Sequence, residues 1–151
     1  MADVQQSFST AIEAPADLCF AAIADFEAYP SWSSPITRID VLDRYEDGFA
    51  RSVEFLLDMK LRTVRYVLRY IWNPPHHLSW TFVEGDVDDI VGSYVFEPLD
   101  GNRTKATCSQ AVTLSFWVPG LIQRTLESTA LRQSVLEFKA EAERRAAGRR
   151  V

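Results

Sequence analysis

The sequence predicts an α+β fold in which a curved antiparallel sheet of about seven strands wraps around a long C-terminal helix. Two short helices are expected between the first strand and the rest of the sheet. Apolar and polar residues alternate across residues 36–116, which is the period of strands. No helical pattern interrupts this region, so consecutive strands are expected to pair antiparallel through short links. After Gly120 the apolar spacing changes to three and four residues, the period of an amphipathic helix.

Length and composition limit the class of protein. The 151 residues, of which 47% are hydrophobic and 25% charged, predict one globular domain over residues 1–151. The formal net charge of -5 argues against nucleic acid as a partner, because phosphate binding needs a basic surface. No apolar run reaches the roughly 18 residues that an integral membrane helix needs, and the polar N-terminus lacks an export signal. We therefore expect a cytoplasmic protein whose Cys19 and Cys108 are reduced thiols.

Local signals place the first elements. The β-prone segment 7–12 predicts a strand. Pro15 predicts the start of a helix that runs over residues 18–26, because proline is well tolerated in a first helical turn. Pro30 and Pro35 then restrict the following segment to a short helix or a tight turn.

Turns divide the sheet region, and a change of period ends it. Gly48 and Gly101 supply the positive φ that hairpin turns require, and the segments 73–76 and 83–86 mark two further breaks. The arginine-rich tail, residues 144–151, is expected to fray. The predicted strands cover residues 36–45, 49–59, 62–72, 77–84, 88–98 and 103–116. The C-terminal helix, about 25 residues long, has an apolar stripe of Ile122, Leu126, Ala130, Leu131, Val135, Phe138 and Ala142.

The predicted inner face of the sheet carries large aromatic rings. Residues two apart in a strand share a face, so the columns with charged residues point outward and the columns with rings inward. One helix about 10 Å wide cannot cover six or seven strands spaced about 4.8 Å apart. The rings therefore either fill the core or line an apolar cavity between sheet and helix. In the second alternative the ligand-binding residues are Phe55, Tyr66, Tyr70, Trp80, Phe82, Tyr94, Phe96, Gln110 and Leu126.

Few polar side chains fall on this inner face. Gln110 interrupts an apolar column, and a buried amide needs a partner, which we expect to be a tyrosine, a trapped water or a ligand carbonyl. Tyrosine hydroxyls in an apolar wall are suited to orienting a ligand. His76 and His77 fall in a predicted connection and are better interpreted as solvated than as catalytic. The sequence assigns no catalytic residue, and we expect neither a cofactor nor a metal site.

Four segments resemble a known superfamily. Together with the predicted order of strands and helices, these segments make nearly the whole chain resemble the START-like or SRPBCC superfamily. This superfamily of helix-grip proteins includes Bet v 1-like allergens. Within it the chain is most similar to the polyketide cyclase/dehydrase-like and coenzyme-Q-binding-like branch. The resemblance implies the helix-grip fold and an apolar ligand held between sheet and long helix. The segments are 12–17, 23–32 with its Ala24-Asp25-Phe26-x-x-Tyr29-Pro30-x-Trp32 string, 78–81 and 92–96.

These features support three hypotheses for function. The first is that the protein binds a hydrophobic small molecule, such as a lipid, a quinone or a polyketide, without covalent chemistry. The second is an enzyme, an aromatic polyketide cyclase or dehydratase that uses cavity tyrosines and polar groups at the rim. The third is an interaction module with a filled interior, in which a sheet edge or the long helix pairs with another subunit, as in a homodimer.

Overall fold

The computed structural model describes residues 5–60, 62–114 and 120–149, with only the backbone described at residues 114 and 120–127. Its elements are β1 Gln6–Ile12, α1 Ala16–Ala24, a 3₁₀ helix Phe26–Ser31, β2 Ile36–Arg44, β3 Ala50–Asp58, β4 Thr63–Asn73, β5 His77–Gly85, β6 Val87–Leu99, β7 Arg103–Leu114 and α2 Gly120–Arg149.

The seven strands form one antiparallel sheet in the order β1-β7-β6-β5-β4-β3-β2. The first strand pairs with the last, and every other neighbour in the sheet is also a neighbour in the chain. Both α1 and α2 pack on the same side, where the inward residues of the strands form one hydrophobic core with them. The predicted α+β helix-grip architecture is confirmed, including the two short helices after the first strand.

Proline positions set the bounds of the short helices. The carbonyl of Pro15 accepts the first amide hydrogen bonds of α1, so the helix begins at Ala16, two residues before the predicted start. Pro30 lies within the 3₁₀ helix, which is the short form that the sequence predicts for this segment. The hydroxyl of Tyr29 donates to the carbonyl of Ile23 and so ties the 3₁₀ helix to α1.

The apolar stripe of α2 is confirmed over its second half, with one exception. Ala130 was predicted on the stripe, but it is exposed. It lies about 100° around the helix from its buried neighbour Leu131, because each residue turns the helix by that angle. Ile122 and Leu126 fall among the residues of α2 whose side chains lie outside the described part. The buried residues of the stripe are Leu131, Val135, Phe138, Ala142 and Ala146.

The expected fraying from Arg144 onward is wrong for the residues described there, which continue α2 to Arg149. Arg145 donates to Glu141 at 2.7 Å and to Asp25, just beyond α1, at 2.9 Å. Glu141 is 5% exposed and also accepts from Arg144. These contacts fasten the end of α2 to α1. Neither this helix nor any other in the described ranges is long and apolar enough to cross a membrane.

Candidate ligand-binding site

The inner face of the sheet has a packed end, formed by the rings closest to α1 and the 3₁₀ helix. The ring of Phe26 is 2% exposed, and its centroid lies 4.9 Å from that of Tyr70 and 5.9 Å from that of Trp72. Phe96 is 1% exposed and lies 5.9 Å from Phe138 of α2. At this end the rings fill the core, as in the first alternative. The predicted ligand-binding residues within it are Phe55, Tyr70 and Phe96.

The opposite, distal end of the inner face lies where β7 ends and α2 begins. Its residues Tyr66, Phe82, Gln110 and Val112 are only partly buried. Tyr66 stacks on Phe55 at a centroid distance of 5.3 Å and so joins the distal end to the packed one. The structure therefore brings most of the predicted ligand-binding residues onto one continuous surface. Leu126, predicted to face them from α2, lies among the residues whose side chains are outside the described part.

Trp80 forms a floor between the two ends. Its indole Nε1 donates to Gln110 Oε1 at 3.0 Å, across the intervening strand β6. Gly92 stands between them in the sheet, paired with both residues. A Cβ on Gly92 would lie 2.4 Å from the indole, so only glycine leaves room for the ring there. The indole therefore lies along the sheet surface instead of standing up toward α2.

The partner of Gln110 differs from those that its position in the sequence predicts. We expected a tyrosine, a water or a ligand carbonyl, but its amide oxygen accepts from Trp80. The sequence signal was available in principle, because Trp80, Gly92 and Gln110 follow inward columns of adjacent strands. What could not be known without the strand register is that these three residues lie in one row.

The titratable groups on the inner face are held in their neutral forms. Tyr70 and Tyr94 are both more than nine-tenths buried, and loss of solvation raises the pKa of each hydroxyl well above its usual value. Burial likewise raises the pKa of the Cys108 thiol to about 12. These groups are hydrogen-bond donors at neutral pH and are unsuited to act as bases. Cys108 and Cys19 are both free thiols, as predicted.

The remaining polar groups considered lie outside the inner face of the distal end. His76 is exposed and His77 partly buried, and both lie at the turn between β4 and β5, beside the packed end. On the outer face, Arg65 donates to Glu84 and to Glu54 at 2.7 Å each, and its amide donates to Asp86. Glu84 near the end of β5 and Asp86 just after it are therefore both held in contacts with Arg65.

Comparison with known proteins identifies the family of the chain. The family described as polyketide cyclase / dehydrase and lipid transport matches residues 12–139. The chain belongs to this family. No curated protein matches the sequence at a significant level.

Several solved structures of other proteins have the same fold as this chain. A START superfamily protein from Mycobacterium smegmatis is 20% identical with a TM-score of 0.86, over 93% of this chain and 97% of that one. The Zhui aromatase/cyclase from a Streptomyces species is 21% identical with a TM-score of 0.80, over 94% of each chain. A Thermus thermophilus protein is 20% identical with a TM-score of 0.79, over 96% and 98%. At these identities the likeness concerns the fold alone.

Proposed function

We propose that this family member binds a hydrophobic small molecule, of lipid, quinone or polyketide type, between the distal end of the sheet and α2. Tyr66, Trp80, Phe82 and Gln110 form the sheet side of the site. The chain acts as one domain in the cytoplasm and needs no cofactor for binding. The interaction involves no covalent step.

The orientation of Trp80 carries the proposal. A large ring that stood away from the sheet would occupy the space between sheet and helix, as Phe96 does at the packed end, where it lies 5.9 Å from Phe138 of α2. Trp80 instead lies across Gly92 and donates to Gln110, so its indole stays along the sheet, 7% exposed, beside the partly buried residues of the distal end. A ligand that covers the partly buried rings of Tyr66 and Phe82 gains about 25 cal/mol for each Å² of apolar surface that it removes from water. The cost of ordering the ligand reduces this gain.

Native mass spectrometry tests the proposal. The protein, purified without denaturants, is expected to retain an apolar molecule, which appears as an added mass that disappears after unfolding and solvent extraction. The extracted molecule is then identified by its fragmentation. A protein that carries no such molecule, and that takes up none from a mixture of lipids and quinones, would contradict the proposal.

A polyketide cyclase or dehydratase is the second candidate function. The observation in its favour is the Tyr66 hydroxyl at the distal end, whose pKa is raised by burial, so that it stays protonated and is able to polarise a ligand carbonyl. The family description and the aromatase/cyclases of the same fold add support. The experiment that separates the two functions is turnover of an aromatic polyketide by wild type and by Tyr66→Phe. An enzyme loses product formation at unchanged affinity, whereas a binding protein changes only in affinity.

A further inference from the structure

The two edges of the sheet differ in what meets their backbone groups. One edge is β1 and the other is β2. Beside β1, the side chains of α2 reach the backbone: Lys139 donates to the carbonyl of Ala11 at 2.6 Å. One residue beyond the end of β1, the amide of Glu13 donates to Glu143 at 2.9 Å. The long helix therefore closes the edge formed by β1.

The hydrogen bonds of β3 show which residues of β2 face outward. The amide of Asp58 donates to the carbonyl of Pro35 at 2.8 Å, and the carbonyl of Leu56 accepts from the hydroxyl of Thr37 at 3.1 Å. Backbone groups alternate in direction along a strand, so every second residue of β3 directs its backbone groups toward β2.

The middle of β2 alternates in the same way. Arg38 pairs with Leu56 and so bonds to β3, and Asp40 does the same two residues later. Ile39 and Val41 therefore direct their N–H and C=O groups away from the sheet. Within the described part of the chain, no other strand or side chain bonds to these groups. A strand edge in this state is a template for pairing with another strand.

The charges on this edge are complementary to themselves. Arg38 and Asp40 lie 2.9 Å apart on the outer face, with side chains 71% and 41% exposed. When two copies of β2 pair antiparallel with Ile39 on the two-fold axis, each Arg38 stands opposite Asp40 of the second copy. A shift by two residues instead places Asp40 against Asp40 or Arg38 against Arg38. The charges therefore favour one register and oppose its neighbours.

We propose that a second copy of this chain docks on β2, in an antiparallel pair of edges centred on Ile39. The amide of Ile39 donates to the carbonyl of Ile39 of the second copy, and the reverse bond completes the pair. Bulges that follow Ile36 and Val41 confine the regular pairing to a few residues, so the interface is small and the dimer transient. This proposal does not depend on the proposed ligand-binding function.

Charge exchange across the edge tests the proposal. Sedimentation equilibrium of the full chain, from about 10 μM to about 1 mM, is expected to show the average mass rising from that of one chain toward that of two. Arg38→Asp places like charges opposite each other and is expected to weaken association about tenfold, as is Asp40→Arg. The double variant that combines the two changes restores opposite charges and is expected to regain the wild-type association.

Arg69→Asp is the matched control, because it makes the same change of charge at an exposed position of the central strand β4. It is expected to associate as the wild type does. All four variants are expected to keep the wild-type melting temperature, since the bond between Arg38 and Asp40 is an exposed ion pair. Hydrogen exchange locates the interface, with the amide of Ile39 expected to exchange more slowly at the highest protein concentration than at the lowest.

Four results would overturn the proposal. One is a wild type that stays monomeric at every concentration, and another is an Arg38→Asp protein that associates as strongly as the wild type. A third is a double variant that stays as weak as the single ones. The last is a dimer in which the amide of Ile39 exchanges as fast as in the monomer, because the two copies would then meet elsewhere. None of these results bears on ligand retention.

Discussion

The packed end and the distal end of the inner face are built from the same residue types but differ in what covers them. At the packed end, α1, the 3₁₀ helix and the second half of α2 all meet the sheet, and rings such as Phe26 and Phe96 are almost fully buried. At the distal end the rings of Tyr66 and Phe82 are only partly buried. An inward ring is therefore a core residue where several described elements cover the sheet, and a candidate ligand contact at the distal end, where its burial is incomplete.

The largest expected effect tests this contrast directly. Phe26→Ala removes a ring at the centre of the packed end and is expected to lower the free energy of unfolding by about 3–5 kcal/mol, because the cavity left behind adds to the lost burial. Phe82→Ala is the matched change at the distal end, and we expect it to cost less than half as much stability while lowering ligand retention. Urea unfolding followed by circular dichroism measures both. Equal stability losses for the two variants would contradict the division into two ends.

An intermediate effect concerns the floor between the two ends. In Gly92→Ala the new methyl group would stand 2.4 Å from the indole of Trp80, so the ring must leave its place on the sheet and its bond to Gln110. Overpacking of this kind costs about 1–3 kcal/mol. We expect that stability loss together with a loss of ligand retention, read by unfolding and native mass spectrometry.

Gly148→Ala is the control for the floor, because a Cβ at that exposed helical position meets no atom within 4 Å. It is expected to leave ligand retention unchanged and to raise stability by no more than about 1 kcal/mol, because alanine favours the helix more than glycine does. A Gly92→Ala protein that retains the ligand as well as this control does would show that the flat orientation of Trp80 is not needed for binding.

Part of this contrast between the two ends is predictable from the sequence, and there are physical reasons why the rest is not. Alternation assigned the faces of the strands correctly, because the side-chain period of two is fixed by backbone geometry. Alternation is equal at both ends, however, so it could not tell Phe96 in the core from Phe82 at its margin. The sequence did not predict that α2 continues beyond Arg144, because its charged residues there resemble a solvated tail. The contacts of Arg144 and Arg145 with Glu141, and of Arg145 with Asp25, depend on the fold.

The smallest expected effect lies in that anchor of α2 and appears as a dependence on pH. The hydrogen bond from Arg144, and then the one from Arg145, hold the pKa of the Glu141 carboxyl below its ordinary value of 4.5. A carboxyl whose pKa is lower in the folded state binds more protons when unfolded, so its contribution to stability is present above pH 4.5 and is lost as the pH falls through the folded pKa. Glu141→Gln is therefore expected to lower stability slightly at pH 7 and to make the unfolding free energy less dependent on pH below 4.5.

Glu46→Gln, a change at an exposed turn residue, is the control, and urea unfolding from pH 7 to pH 3 is the measurement. If the unfolding free energy of Glu141→Gln falls with pH as steeply as that of the control, the ion pairs of Glu141 do not hold the end of α2. The packing of Ala142 and Ala146 would then hold it, and the packed end would owe its order to apolar burial at both helices.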